Sequence, residues 1–466
     1  MVDAFADDAL GRDDAVGLAA RLAAREVSAG ELVEAAIARV DKVDGELGAV
    51  AVRDYERARR TTGAAGFFQG VPTMIKDNVD VAGLPTQQGS DAYAGRPAPR
   101  DGDMARLLTS MGLIPLGKTR LSEFGFSAAA EHPRLGPVRN PWDTARTAGA
   151  SSSGTGALVA AGAVPFGHGN DGGGSIRIPA AVNGLVGLKP SRGRLPLDPM
   201  HRQMPLRIVV DGVLTRSVRD TAAFFREAER HYRSRALPPI GDVAGPAPQR
   251  LRIGMFTAAA GRAASPEVDA LTRQTAELLG SLGHAVEEVE PPVTPAFADD
   301  FVLYWGFLAL MIVRTGRLVA GRSWDSAKLD NLTRGLAVQS GRRLHRLPAA
   351  LRRLRGAVAL SSEFHTTYDV ILTPTLAHET PLVGHLDPMQ DFDTIMERLR
   401  DWVAFTPWQN ISGDPAISLP LTTTASGLPQ GMMLGAGRGR ERLLLGLAYE
   451  LEEAVGFASL GAPNPA

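Results

Sequence analysis

The sequence predicts an α/β protein built around a mixed sheet, and three observations lead there. From about residue 70, short apolar runs end in polar or glycine-rich turns: VPTMIK, GLIPLGKT and AVPFGHG. Helical patterns lie between them, over Met104–Met111 and Gly156–Ala163. Strand-like runs return late in the chain, as LRIGMF, DVILTPT, PAISLPL and QGMMLGAG. Short strands alternating with helix-length stretches read as α/β. Their late return favours one interwoven domain over residues 1–466, with a helical part inserted.

The elements follow in order. Residues 14–47 read as two amphipathic helices, the second opened by Ser28 with Glu31 three residues on, a capping-box spacing. After residue 250 a strand, a helix from Pro266 and the run HAVEEVE follow one another. Residues 301–367 are helical and rich in arginine, and a last helix covers about 440–455. LPPIGDVAGPAPQ, residues 237–249, is the best candidate for a linker. The longest apolar run, FVLYWGFLALMIV from Phe301 to Val313, spans about 20 Å as a helix, short of a bilayer core. It is expected to be a buried helix or a pocket wall, without stable membrane insertion; a monotopic contact stays open.

Composition narrows the function. The net charge of −1 gives no nucleic-acid footprint. The absence of cysteine removes disulfides, cysteine-based zinc sites and a thiol nucleophile, and fits a reducing cytoplasm. The N-terminal MVDAFADDALGRDD lacks the basic and apolar regions of a signal peptide.

The chemistry concentrates in GHGNDGGGSIRIPA, where Gly172, Gly173 and Gly174 stop at Ser175. Successive glycines let several backbone N–H groups turn toward one point, the geometry of an oxyanion hole. A serine closing such a loop is placed as an acyl-transfer nucleophile, although a tight turn needs glycine too. No G-x-S-x-G elbow surrounds Ser175, and His168 reads better as a strand-end residue than as its base. Lys76, at the end of an apolar run, becomes a base if burial keeps it neutral. Ser151 to Ser153 open a helix, where they either cap it or relay a proton.

Several ordered segments together resemble the amidase signature family: KDN, GASSSGTGALVAAG, HGNDGGGSIRIPAAVNGLVGLKPSRGR, and later VDGVLTRSVRD and QNISGDPAISLPL. The likeness covers most of the chain, with 67–220 as the signature core and 300–367 as a variable helical substrate-binding segment. It implies a central mixed, twisted sheet with helices on both faces and a Ser–cis-Ser–Lys triad. Matched position by position, Lys76 is the base, Ser151 the cis-serine and Ser175 the nucleophile. Gly172, Gly173, Gly174 and Ser175 would supply the oxyanion N–H groups, braced by Asp171 and Arg177. Gly125, Ser127, Trp305, Trp408 and Asn410 would face the substrate. Two departures stand out. Ala150 and Ser153 replace family glycines, which makes Ser152 a fallback relay, and Gly172 replaces a larger residue, which implies a roomier acyl pocket.

The resemblance implies an amide hydrolase working through an acyl-enzyme, with no cofactor or metal, as a monomer or homodimer in the cytoplasm. HGND before the glycines resembles the subgroup containing 6-aminohexanoate cyclic dimer hydrolase and the aryl acylamidase-like enzymes. That points to bulky or aryl amides, with carbamates (urethanes) and esters as further substrates. A glutamine-dependent tRNA amidotransferase subunit and an inactive binding protein on the same fold are the alternatives.

Overall fold

A computed structural model of the chain describes residues 1–293 and 295–461. Thr294 and residues 462–466, included in the single-domain reading above, lie outside the described residues.

A small sheet carries the lysine. Its strands are β1 (Val50–Arg53), β2 (Pro72–Lys76) and β3 (Ile114–Thr119), with β3 in the middle, antiparallel to β1 and parallel to β2. Every residue of β2 is buried, as its unbroken apolar run requires. The large sheet has eight strands: β4 (Phe166–Asp171), β5 (Val186–Lys189), β6 (Val210–Thr215), β7 (Arg252–Met255), β8 (Ala285–Glu288), β9 (Val370–Pro374), β10 (Ala416–Thr423) and β11 (Pro429–Ala436). Edge to edge the order is β8-β7-β9-β11-β10-β5-β6-β4. Pairings β8–β7 and β7–β9 are parallel and the others antiparallel, so the sheet is mixed.

Alternation along β11 shows how the sheet is covered. Met432, Leu434 and Ala436 join a core cluster with Leu444 and Leu447 of the helix Glu441–Val455. The intervening Gly431 and Gly435 face the other way: a Cβ on Gly431 would strike Ala181 of the helix Arg177–Asn183, and one on Gly435 would lie 3.3 Å from Gln409. Period-two alternation thus places helices on both faces.

The two N-terminal helices are Ala15–Ala23 and Ala29–Leu47, and the capping box at Ser28 and Glu31 is formed in both directions. Two other helices shift from their sequence reading, to Asp103–Ser110 and Ser153–Ala160. The Pro/Gly stretch at 237–249 is strapped down rather than free. Glu229 accepts the N–H groups of Ile240 and Gly241 at 3.0 Å, and Arg194 donates to the Pro238 carbonyl at 2.7 Å.

The apolar run from Phe301 belongs to a longer helix, Pro295–Ala320, so the length argument against a membrane span fails. By length and composition this helix is long and apolar enough to cross a membrane. Its inner residues Leu303, Tyr304, Ala309 and Leu310 are instead buried against the helices Asn331–Arg342 and Leu347–Thr367.

Candidate active site

Strand β2 delivers Lys76 fully buried, with Nζ 2.7 Å from Ser151 Oγ and 2.7 Å from Asn170 Oδ1; the Asn170 carbonyl lies at 3.4 Å. Burial lowers the lysine pKa to about 7, against the opposing pull of the Asp171 and Asp211 charges. A neutral amine has two N–H groups and one lone pair. The two Asn170 oxygens suit the N–H groups, which leaves the lone pair for the Ser151 hydroxyl. The backbone N–H of Lys76 donates to His168 Nδ1 at 3.2 Å, and His168 Nε2 faces Asp211 Oδ1 at 3.1 Å. That arrangement puts the ring proton on Nε2. His168 therefore lies within β4 as a support for the lysine strand, not at a strand end.

The three serines separate by what they touch. The Ala150–Ser151 peptide bond is cis, and Ser151 Oγ meets the lysine. Ser152 Oγ donates to the Ser175 carbonyl at 2.5 Å, and Ser153 Oγ donates to the Gly149 carbonyl. Ser152, at the N-cap position, makes no side-chain cap bond to the helix Ser153–Ala160.

Asp171 organises the loop that carries Ser175. Its Oδ1 accepts the Gly174 N–H at 2.7 Å and Oδ2 the Ile176 N–H at 3.1 Å. Arg177 holds both oxygens in a fork at 2.9 Å, and its Nη2 also donates to Asn410 Oδ1 at 2.6 Å. Burial alone would raise the Asp171 pKa, but the Arg177 charge and hydrogen bonds hold it well below the usual carboxylate range. Gly174, expected among the oxyanion donors, has its N–H engaged by Asp171. Among the described residues the N–H groups of Gly172, Gly173 and Ser175 donate to no protein acceptor. Gly174 has φ of 135°, and a Cβ there would meet Thr406 Oγ1 at 2.5 Å, so glycine is required on two counts.

Ser175 opens onto a mainly apolar pocket with a volume of about 130 Å³. Phe297, Phe301 and Trp305 come from one helix, and Gly125, Ser127 and Ile178 from the facing side. Phe301 and Trp305 stack at 5.6 Å, and Phe126 meets Trp305 edge-on at 5.3 Å. Gly125 has φ of 78°, and a Cβ there would lie 3.2 Å from Ser151 Oγ. Two expected substrate contacts lie elsewhere. Trp408 is buried against Phe297 outside the pocket lining, and Asn410 is buried in the Asp171 brace, donating to its carbonyl at 2.9 Å. The room left by Gly172 is also taken: a Cβ there would meet Val209 at 3.1 Å and Trp305 at 3.5 Å.

The comparisons with known proteins agree with this architecture. The Amidase family model matches residues 31–445. "Putative amidase AmiC" of Mycobacterium tuberculosis (strain ATCC 25618 / H37Rv) is 60% identical over 468 residues, covering 99% of each chain. The 6-aminohexanoate-cyclic-dimer hydrolase of Paenarthrobacter ureafaciens is 34% identical over 476 residues, covering 95% of this chain and 94% of that one. A solved structure of 6-aminohexanoate cyclic dimer hydrolase superposes with a TM-score of 0.88 at 31% identity, covering 99% of both chains. The chain belongs to the amidase family, and it is an amide-hydrolysing enzyme.

Sequence reasoning missed Asn170, Asp211 and Phe297, and reached Phe301 only as the start of an apolar run read as a buried helix or a pocket wall. Asn170 carried a signal, a polar side chain inside a buried strand two residues from His168. Asp211 and the two phenylalanines reach the site only through tertiary contacts.

Proposed function

We propose that the enzyme hydrolyses small amides bearing a bulky apolar or aryl group, through an acyl-enzyme on Ser175. In this reading neutral Lys76 takes the proton of Ser151 while Ser151 takes that of Ser175. Ser175 Oγ bonds to the carbonyl carbon, and the N–H groups of Gly172, Gly173 and Ser175 hold the oxyanion. The C–N bond then breaks as the proton returns through Ser151 to the leaving amine. Water, deprotonated by the same relay, cleaves the acyl ester.

The observation that carries this reading is the buried Lys76. Its pKa near 7 makes it a base at neutral pH, and its lone pair has Ser151 Oγ at 2.7 Å. The wall of Phe297, Phe301 and Trp305 supports an apolar substrate. Carbamates and esters pass through the same tetrahedral geometry and fall within the proposal.

A fluorophosphonate probe, with the modified peptide mapped by mass spectrometry, tests the nucleophile. Labelling at Ser175 that is lost in Lys76→Ala is the expected result; labelling elsewhere overturns it. Hydrolysis of anilides, N-alkyl amides, aryl carbamates and esters, each set against acetamide, tests the substrate class. Faster turnover of acetamide than of every apolar amide would overturn that part.

A further inference from the structure

Behind the loop that carries Gly125 lies a second cavity, of about 360 Å³. Ser127 lines both this cavity and the pocket beside Ser175, so the two adjoin at that residue. Four carboxyl groups line it: Asp91, which is only half-buried, and Glu123, Glu131 and Asp330, each more than nine-tenths buried.

Part of their bonding is structural. Glu123 accepts from the Ser90 hydroxyl at 2.6 Å and from the Asp330 N–H at 3.0 Å. Asp330 caps the helix Asn331–Arg342 by accepting the Thr333 N–H at 2.6 Å. Glu131 Oε2 accepts the Gly384 N–H at 2.8 Å. Glu131 Oε1, however, is buried with no hydrogen-bond partner. Among the described residues none of the three buried carboxyls forms an ion pair. His132 and Lys328 also line the cavity, but neither reaches these three carboxyls: Arg134 and His132 face Asp91 at 2.7 and 3.5 Å, and the exposed Lys328 lies 4.0 Å from Asp325. Burying an anion without a counter-charge costs several kcal/mol. Burial accordingly pushes the Glu131 carboxyl up to about 7, and burial beside Glu123 pushes Asp330 well above the carboxylate range. Below about pH 7 Glu131 therefore holds a proton that an arriving cation would displace, and above it the carboxylate lacks a counter-charge.

The rest of the lining says which cation. Leu121, Leu329, Pro388 and Met389 supply apolar wall. A calcium ion wants six to eight oxygens, and among the described residues no three His, Asp or Glu side chains are grouped to hold a metal. Carboxylates set in apolar walls suit an ammonium head on a hydrocarbon body. Amide hydrolysis generates that species, because the alkylamine released by C–N cleavage takes up a proton in water.

We propose that this cavity is a subsite for the amine half of the substrate, binding it as an organic ammonium ion with Glu131 as the principal anion. The assignment rests on the amide-hydrolase reading, which supplies the amine.

Calorimetric titration of the full chain at pH 8 with hexylammonium chloride, hexan-1-ol and hexanoate tests it without turnover. Hexylammonium is expected to bind at least about tenfold more tightly than the uncharged alcohol, with hexanoate not binding. Glu131→Gln is expected to remove that advantage, whereas Trp305→Ala, on the wall of the other pocket, leaves it in place. Equal binding of hexan-1-ol by the wild type overturns the proposal whether or not the variants fold. So does loss of hexylammonium binding in Trp305→Ala but not in Glu131→Gln. Turnover of N-hexyl amides against monoacylated 1,6-diaminohexane separates two sources of the ammonium. A preference for the diamine that disappears in Glu131→Gln assigns the site to a charged substrate tail, and inhibition by hexylammonium without such a preference assigns it to the released product. Binding without any amide hydrolysis would sink the enzymatic reading alone; hydrolysis without binding would sink the subsite alone.

Discussion

Strand β4 and the helix Pro295–Ala320 reach the same pocket by opposite means. At the end of β4 polar groups hold one another: the Asp171 carboxylate receives hydrogen bonds from Gly174, Ile176, Arg177 and Asn410. The helix contributes Phe297, Phe301 and Trp305, held by stacking and by apolar packing. Directional bonds fix positions to fractions of an ångström, and a charge is costly to leave unpaired. Apolar packing fixes a volume and tolerates exchange if that volume is kept. The comparison teaches that the first region is held by directional bonds and the second by volume, which in the proposed function divides chemistry from choice of substrate.

Mutations that separate chemistry from substrate choice can break that division. The largest effect is expected from Ser175→Ala, which should lower turnover by about 10⁴-fold or more with little change in the melting temperature. Wild-type turnover in that variant would remove Ser175 from the mechanism. Lys76→Ala should lose about 10³-fold or more. In the wild type, kcat/KM should climb about tenfold per pH unit below pH 7 and level off above it, since Lys76 acts neutral and its pKa lies near 7. A profile peaking below pH 6 would point to a carboxylate or histidine base. Stability carries the same sign. The unfolded lysine, at 10.5, binds a proton that the folded one releases between about pH 7 and 10.5. The cost of burying it is therefore full below 7 and fades as pH rises. Melting curves of Lys76→Met and wild type should accordingly converge from pH 7 to pH 10, and a constant gap would contradict the depressed pKa.

Arg177→Ala leaves Asp171 buried without its partner and should cost about 3–5 kcal/mol in chemical denaturation. It should lower kcat for every substrate alike, because the oxyanion loop is common to all. A change in substrate ranking would show that brace and wall are not independent. The smallest and most discriminating effect belongs to the wall. Trp305→Ala should shift the ratio of kcat/KM between an anilide and acetamide by about tenfold, as lost apolar contact predicts. Trp408→Ala should leave that ratio unchanged and cost about 3–5 kcal/mol of stability. If both leave the ratio unchanged, the wall does not select substrate.

The two regions also differed in how far the sequence revealed them. Lys76, Ser151, Asp171, Ser175 and Arg177 stand in ordered local segments; the structure pairs Lys76 with Ser151 and Asp171 with Arg177, while the Ser175 carbonyl accepts from Ser152. Their roles came from the family resemblance, whose motifs are contiguous in sequence; spacing alone left Lys76, Ser151 and Ser175 open to ordinary structural readings. The wall is not local. Trp305 and Trp408 look alike in sequence, each an aromatic in an apolar run, and only packing sends one to the pocket and the other against Phe297. The use of the Gly174 N–H was equally hidden, because an Asp three residues before a glycine reads as a turn whether or not it occupies that amide. The length of the helix Pro295–Ala320 was underestimated because Arg314 and Arg317 break the apolar run without breaking the helix.

Strand β11 lies between β9 and β10, and on the ribosome that order imposes a schedule. Residues 429–436 emerge long after Lys76, Ser151 and Ser175, yet they join the β8-β7-β9 side of the sheet to the side that carries the Ser175 loop. Asn410, which braces that loop, also comes late. A nascent or prematurely terminated chain ending before Pro429 thus holds both serines and the lysine and still lacks the strand that closes the sheet. The enzyme becomes competent only once Pro429–Ala436 has emerged, so a frameshift just before Pro429 should be as damaging as one before Lys76.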